Sequence, residues 1–205
     1  MQRIVHHAIY PTFADWETGH LTAHLRNGRY RREPGGFEIV TVGLDAEPVV
    51  TMGGLRVTPD LTLDRLDPAG SALLILPGAD LWDSGDTLAP FARKAREFLD
   101  AGVPVAAICG ATAGLAREGL LDDRDHTSAV LPYLEAQAGY AGARHYLDRD
   151  AVLGGDLITA GPTEPVAFAR EVFRRLDVFR PEVLDAWFRL FERSDPTAFE
   201  VLMAA

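Results

Sequence analysis

Val103-Pro-Val-Ala-Ala-Ile-Cys-Gly-Ala-Thr-Ala-Gly114 changes its period at the only cysteine in the chain. Val103 to Ile108 is a short apolar run entered through Gly102 and Pro104, which reads as a buried strand. Small residues follow Cys109 (Gly110, Ala111, Ala113, Gly114), then Leu115 and Ala116, with Gly119 as a stop signal, so a short helix is expected. A side chain at such a strand-to-helix turn stands above the carboxyl edge of its sheet, over free helix N–H groups that favour an anion. That is the mechanics of a nucleophile elbow, with sulfur in place of the usual hydroxyl, and it predicts a strained, positive-φ Cys109. A lone cysteine after an apolar strand also fits a small buried hydrophobe. The rest of the chain has to choose between these.

The 205 residues suit one α/β domain with a sizeable core. A hydrophobic share of 47% beside 24% charged residues is ordinary for a soluble globular protein. The formal charge of −10 argues against a nucleic-acid or membrane partner, since either favours a basic face. One cysteine excludes an intramolecular disulfide framework and a cysteine-based zinc cluster, and no metal or cofactor is expected. No apolar run approaches a spanning length. Met1-Gln-Arg-Ile-Val reads as entering a strand without a signal-peptide core, so the cytoplasm is the expected compartment.

Strands and helices alternate along the chain. Arg3 to Tyr10 reads as the first strand, ended by Pro11, and Leu21, His24 and Leu25 fall at helical spacing after it. Arg26 to Gly36 reads as a basic, solvated turn, and Phe37 to Gly43 as a strand. Val49 to Leu63, with Gly53-Gly54 and Pro59, predicts a hairpin or edge strand. Ala72-Leu-Leu-Ile-Leu76 is apolar throughout, as a strand buried on both faces should be, and runs into the turn Pro77-Gly78-Ala79-Asp80. Leu88 to Asp100 carries an apolar stripe of Phe91, Ala95, Phe98 and Leu99. His126 to Val130 predicts a short strand and Pro132 to Tyr140 a helix. Gly154-Gly155, between two short apolar runs, predicts a hairpin. Helices are expected from Pro165 and Pro181, the second rich in aromatics. The pattern predicts a doubly wound sheet with its site at the carboxyl strand ends, residues 1–180 forming the α/β domain. Residues 181–205 form a helical extension packed on that domain or on a second subunit.

At those strand ends the loops should bring together Glu17, the amides of Gly78-Ala79-Asp80, and Cys109. An ionised Glu17 would repel a thiolate; a protonated one would donate to it, lowering the thiol pKa and raising its own. Taken alone, Glu17 also fits an exposed first-turn glutamate.

Ala106-Ala-Ile-Cys-Gly-Ala-Thr112, Leu76-Pro-Gly-Ala-Asp80 and Ala14-Asp-Trp-Glu-Thr18 together resemble the ThiJ/PfpI family of the class I glutamine amidotransferase-like superfamily. Gly119 to Ser128 and Leu157 to Pro162 fit it too, so the resemblance runs from about Arg3 to Leu176. The tail resembles a bacterial branch often labelled protease/amidase-like. The resemblance implies a flavodoxin-like sandwich, usually homodimeric, with Cys109 as nucleophile, Glu17 as its acid partner, and Ala79 and Gly110 as oxyanion-hole amides. Three departures bear on activity. Peptidase members place a histidine directly after the nucleophile, where this chain has Gly110. Ser128 stands where other members have a histidine, which leaves His126, two positions earlier, as a possible substitute. Glutaminase domains need a late His-x-Glu pair, and Thr163-Glu164 lacks that histidine. Amide hydrolysis is therefore poorly supported, because the leaving amine needs a proton.

Two functions remain, beside a third reading in which the chain is a scaffold that has kept the elbow geometry but lost turnover. In one, the Cys109 thiolate adds to a small carbonyl or amide compound while Glu17 shuttles the proton. In the other, the chain is a non-catalytic stress-response dimer whose Cys109 reports an oxidant.

Overall fold

The computed structural model describes residues 3–33 and 35–205. Met1 and Gln2, which precede the expected first strand, and Pro34 of the basic turn lie outside them. A seven-stranded sheet runs β5-β2-β1-β6-β7-β9-β8. Its strands are β1 (Arg3–Ala8), β2 (Phe37–Gly43), β5 (Leu61–Thr62), β6 (Ser71–Leu76), β7 (Val105–Ile108), β8 (Ala151–Gly154) and β9 (Leu157–Ala160). Every neighbouring pair is parallel except β8 with β9, which Gly155 joins at φ 70°. This is the expected flavodoxin-like α/β fold.

Side-chain alternation splits the interior into two cores. Leu73 and Ile75 of β6, with Ala106 and Ile108 of β7, face α1 (Gly19–Asn27), α5 (Pro165–Arg175) and α6 (Pro181–Arg193). Leu74, Leu76, Val105 and Ala107 face the opposite way, onto α2 (Ala89–Asp100) and α3 (Ala111–Arg117). Apolar side chains thus leave both faces of the central strands, which is why these strands read as unbroken apolar runs.

The segment from Val49 resolves the choice between hairpin and edge strand by doing both. β3 (Val49–Val50) and β4 (Arg56–Val57) form a separate antiparallel pair. The chain then passes Pro59 and joins the edge of the main sheet as β5, so the proline lies between strands rather than inside one. The strand expected over 126–130 is reduced to a single bridge between His126 and Tyr146. Thr127 spends its N–H on Thr159 Oγ1 and its hydroxyl on the Arg149 carbonyl, and β9 is already paired on both sides. The helix expected over 132–140 shortens to α4 (Leu131–Glu135), and Gly139 then turns the chain at φ 83°.

The aromatic tail packs on its own chain. Trp187 of α6 is fully buried, its ring 5.0 Å from Phe173 of α5 and 5.3 Å from His24 of α1. α7 (Ala198–Met203) adds buried Ala198 and Leu202 to the same core and leaves Phe199 and Met203 exposed. Among the described residues, no helix is long and apolar enough to cross a membrane.

Candidate active site

Strand order reverses between β1 and β6, and there the chain builds its crevice. The loop after β1 is stitched to the loop after β6. Ala14 N–H donates to the Gly78 carbonyl at 2.9 Å, Phe13 bridges Ala79, and Asp80 N–H donates to Thr12 Oγ1 at 3.2 Å. Thr12 takes φ 65° to make this turn. The consequence is that Glu17 points inward, 1% exposed, with Oε2 accepting from Gly78 N–H at 2.6 Å. The exposed first-turn glutamate is excluded.

Cys109 follows β7 with φ 58°, the positive value the elbow requires. Its N–H still donates to the Ala160 carbonyl of β9 at 3.1 Å, while its own carbonyl already accepts from Thr112 N–H in α3 at 3.0 Å. The strand ladder and the helix thus meet on this one residue, and the side chain is left half-buried at the crevice. The Glu17 carboxyl and the Cys109 side chain both flank Gly78, and together with the Gly110 N–H they set the protonation of the site.

The pair's protons follow from burial. Loss of solvent pushes the Glu17 carboxyl up to about 7, against the pull of the Gly78 amide and of Cys109. Burial, then the charge of an ionised Glu17, push the Cys109 thiol up to about 12, opposed by Gly110 N–H. The expected lowering of the thiol pKa is therefore not met: burial raises it first, and an ionised Glu17 adds a second negative charge beside it. When Glu17 keeps its proton that repulsion is gone and the carboxyl can donate to sulfur. Of the two protons, the one on Glu17 leaves first, near neutrality.

Ala79 has an extended backbone, φ −162°, so its alanine side chain does not prevent its N–H from facing the crevice. His126 does not join the site. It is fully buried, its Nδ1 engaged by the Arg124 carbonyl and its Nε2 by Tyr140 Oη, both at 2.8 Å, with Tyr140 and Tyr146 packed edge-on. The residue of that segment that reaches the elbow is Ser128, whose hydroxyl lies 2.7 Å from Thr112 Oγ1. His20 and His24 pack against Trp187 and Phe191, and His6 bonds Ser71 Oγ at 2.8 Å.

The missing histidine after Cys109 has a steric counterpart. A Cβ on Gly110 would lie 3.1 Å from Trp82 Cβ, and one on Gly114 would lie 2.1 Å from Trp82 Cζ3. Trp82 occupies the space that larger residues at the elbow helix would need. Neither Trp82 nor Tyr10, which bonds it, stood out in the sequence; they meet across 72 residues, and no spacing rule links them.

Residues 3–175 match the model of the DJ-1/PfpI family. The chain belongs to that family. This DJ-1/PfpI chain is 40% identical, over 203 residues, to a Bacillus subtilis (strain 168) protein named uncharacterized protease YoaZ, covering 98% of this chain and 96% of that one. It is 34% identical over 147 residues to protein/nucleic acid deglycase 2 of Escherichia coli (strain K12), covering 69% and 83% of the two chains. The crystal structure of a thiJ/pfpI family protein from Bacillus anthracis superposes with a TM-score of 0.94 at 38% identity, covering 100% of this chain and 97% of that one.

Proposed function

We propose that this DJ-1/PfpI protein is a cysteine-nucleophile enzyme for small carbonyl compounds. The observation that carries the reading is a positive-φ Cys109 set beside a buried Glu17, both flanking Gly78. The reactive form is the minor tautomer of the singly ionised pair, with the proton on Glu17 and the charge on sulfur. The thiolate attacks the carbonyl carbon, the C=O π pair moves onto oxygen, and Glu17 delivers its proton there. The product is a neutral hemithioacetal and an ionised Glu17. Ala79 and Gly110 N–H groups would support the developing oxyanion.

Addition to an aldehyde expels no amine. The relatives carry the names protease and deglycase. Amide hydrolysis is the weaker choice for this chain, because Trp82 crowds the position after the nucleophile and His126 has other partners.

A panel of small aldehydes, α-oxoaldehydes and amides tests the reading. Turnover or a covalent adduct at Cys109 is expected with the carbonyl members, lost in Cys109→Ala with circular dichroism unchanged. A panel that leaves both proteins equally inert refutes it.

The oxidation-sensor reading draws support from Gly110 N–H on the sulfur and from a Glu17 carboxyl able to donate near neutrality. It predicts that mild peroxide adds oxygen selectively to Cys109, at a rate altered by Glu17→Gln. The working form in either reading is taken to be a cytoplasmic homodimer. Exposed Phe199 and Met203 are compatible with assembly, which sedimentation velocity tests.

A further inference from the structure

The peptide between Pro77 and Gly78 is held from both ends. Its N–H donates to Glu17 Oε2 at 2.6 Å. Its carbonyl oxygen accepts two hydrogen bonds, from Tyr10 O–H at 2.5 Å and from Trp82 Nε1–H at 3.0 Å. The indole N–H is shared, lying 3.1 Å from Tyr10 Oη, and the two rings meet edge-on with centroids 5.7 Å apart. Both aromatic residues are 1% exposed, so no solvent competes for these bonds.

Packing alone would place two aromatic rings here without aiming both polar tips at one oxygen. A carbonyl has two lone pairs, and Tyr10 and Trp82 together use its full accepting capacity. Hydrogen bonds in series polarise one another, so donors on the Pro77 carbonyl make the Gly78 N–H a better donor to the carboxylate beyond it. They also fix the plane of the peptide, and with it the direction in which that N–H points.

We infer that Tyr10 and Trp82 are positioning residues for the Cys109–Glu17 pair, acting through the Pro77–Gly78 peptide to fix the direction of the Gly78 N–H and, with it, the place of the Glu17 carboxyl beside the elbow. The inference rests on the nucleophile reading above and extends it to the residues that tune the acid. The titratable groups facing Glu17 are Cys109 and Tyr10, and Cys109 also feels Asp83, to which Tyr133 Oη donates at 2.6 Å. Tyr10 is buried and held well above the ordinary phenol range, chiefly by loss of solvent, so it remains a donor at every working pH.

The test is the rate of Cys109 modification by iodoacetamide against pH, followed by mass spectrometry, in the full-length wild type and in Tyr10→Phe, Trp82→Phe and Glu17→Gln. Near-UV circular dichroism and urea midpoints are recorded for each. Wild type should show a rise near neutrality, a plateau, and a second rise at alkaline pH. Losing the Tyr10 hydroxyl weakens the Gly78 amide as a donor, so Glu17 keeps its proton longer. The first rise should then move up by about half a pH unit, a threefold change in the proton-binding constant. Trp82→Phe should move it the same way. A variant that is less stable but titrates as wild type overturns the inference, because a structural role alone lowers the midpoint without moving the inflection. Should Tyr10→Phe not fold, Trp82→Phe decides in the same terms. Glu17→Gln separates the two levels: a profile identical to wild type removes the nucleophile reading itself. A lost first rise there, with Tyr10→Phe and Trp82→Phe unshifted, removes only the positioning role.

Discussion

Gly78 and Glu17 stand 61 residues apart and are joined by a 2.6 Å hydrogen bond from a backbone amide to a buried carboxylate. The absence of a side chain on Gly78 is what permits this closeness. A Cβ there would lie 2.8 Å from Cys109 Cβ and 2.9 Å from both Glu17 carboxyl oxygens. Gly78→Ala is expected to force the pair apart and to cost about 1–3 kcal/mol of stability through overpacking. Urea unfolding measures the cost, and iodoacetamide kinetics should lose the rise near neutral pH.

Glu17 should also make stability depend on pH. Its carboxyl titrates near 7 in the folded chain against 4.5 when unperturbed, so the folded state binds the proton more tightly. That contribution is complete below about 4.5 and is lost as pH rises through 7. Glu17→Gln carries no such titration. Relative to wild type it should gain about 3 kcal/mol between pH 4.5 and pH 8. Unfolding midpoints at those two values check it, and an unchanged difference would show that Glu17 is not raised.

The elbow stores strain at Cys109, whose φ of 58° is disfavoured for any residue with a Cβ. Cys109→Gly should therefore be more stable than Cys109→Ala by about 1 kcal/mol, although both lose the sulfur. Thermal melts of the two variants decide this, and equal melts would mean that the turn is not strained.

His126 is assigned to the core by its partners. Replacing it by Ala should cost about 2–4 kcal/mol, from a lost ring and two unpaired neighbours. The pH profile of Cys109 modification should stay where it is. A shifted profile would return His126 to the site.

The sequence showed where the elbow cysteine stands because the elbow is a local device. A buried strand, a single cysteine and a run of small residues lie within a dozen positions, and each carries its own signal. Glu17 was legible only through its motif, since an isolated glutamate before a helix looks solvated; its burial follows from Ala14 and Phe13 being bonded to the Gly78–Ala79 loop. The reading of His126 failed because it assumed a strand and hence a facing direction, whereas that segment pairs with residues 145–149 and turns its imidazole toward Tyr140. Tyr10 and Trp82 carried no signal at all.

From the sequence alone came the alternating α/β plan, the apolar central strands and the elbow, all governed by periodicity and by residues near one another in the chain. The tertiary structure alone decided that Glu17 is buried against the Gly78 amide, that His126 is turned away, and which aromatic groups hold the Pro77–Gly78 peptide between them. Those outcomes depend on desolvation and on bonds between loops scores of residues apart, and both arise only once the sheet has brought its strand ends into one crevice.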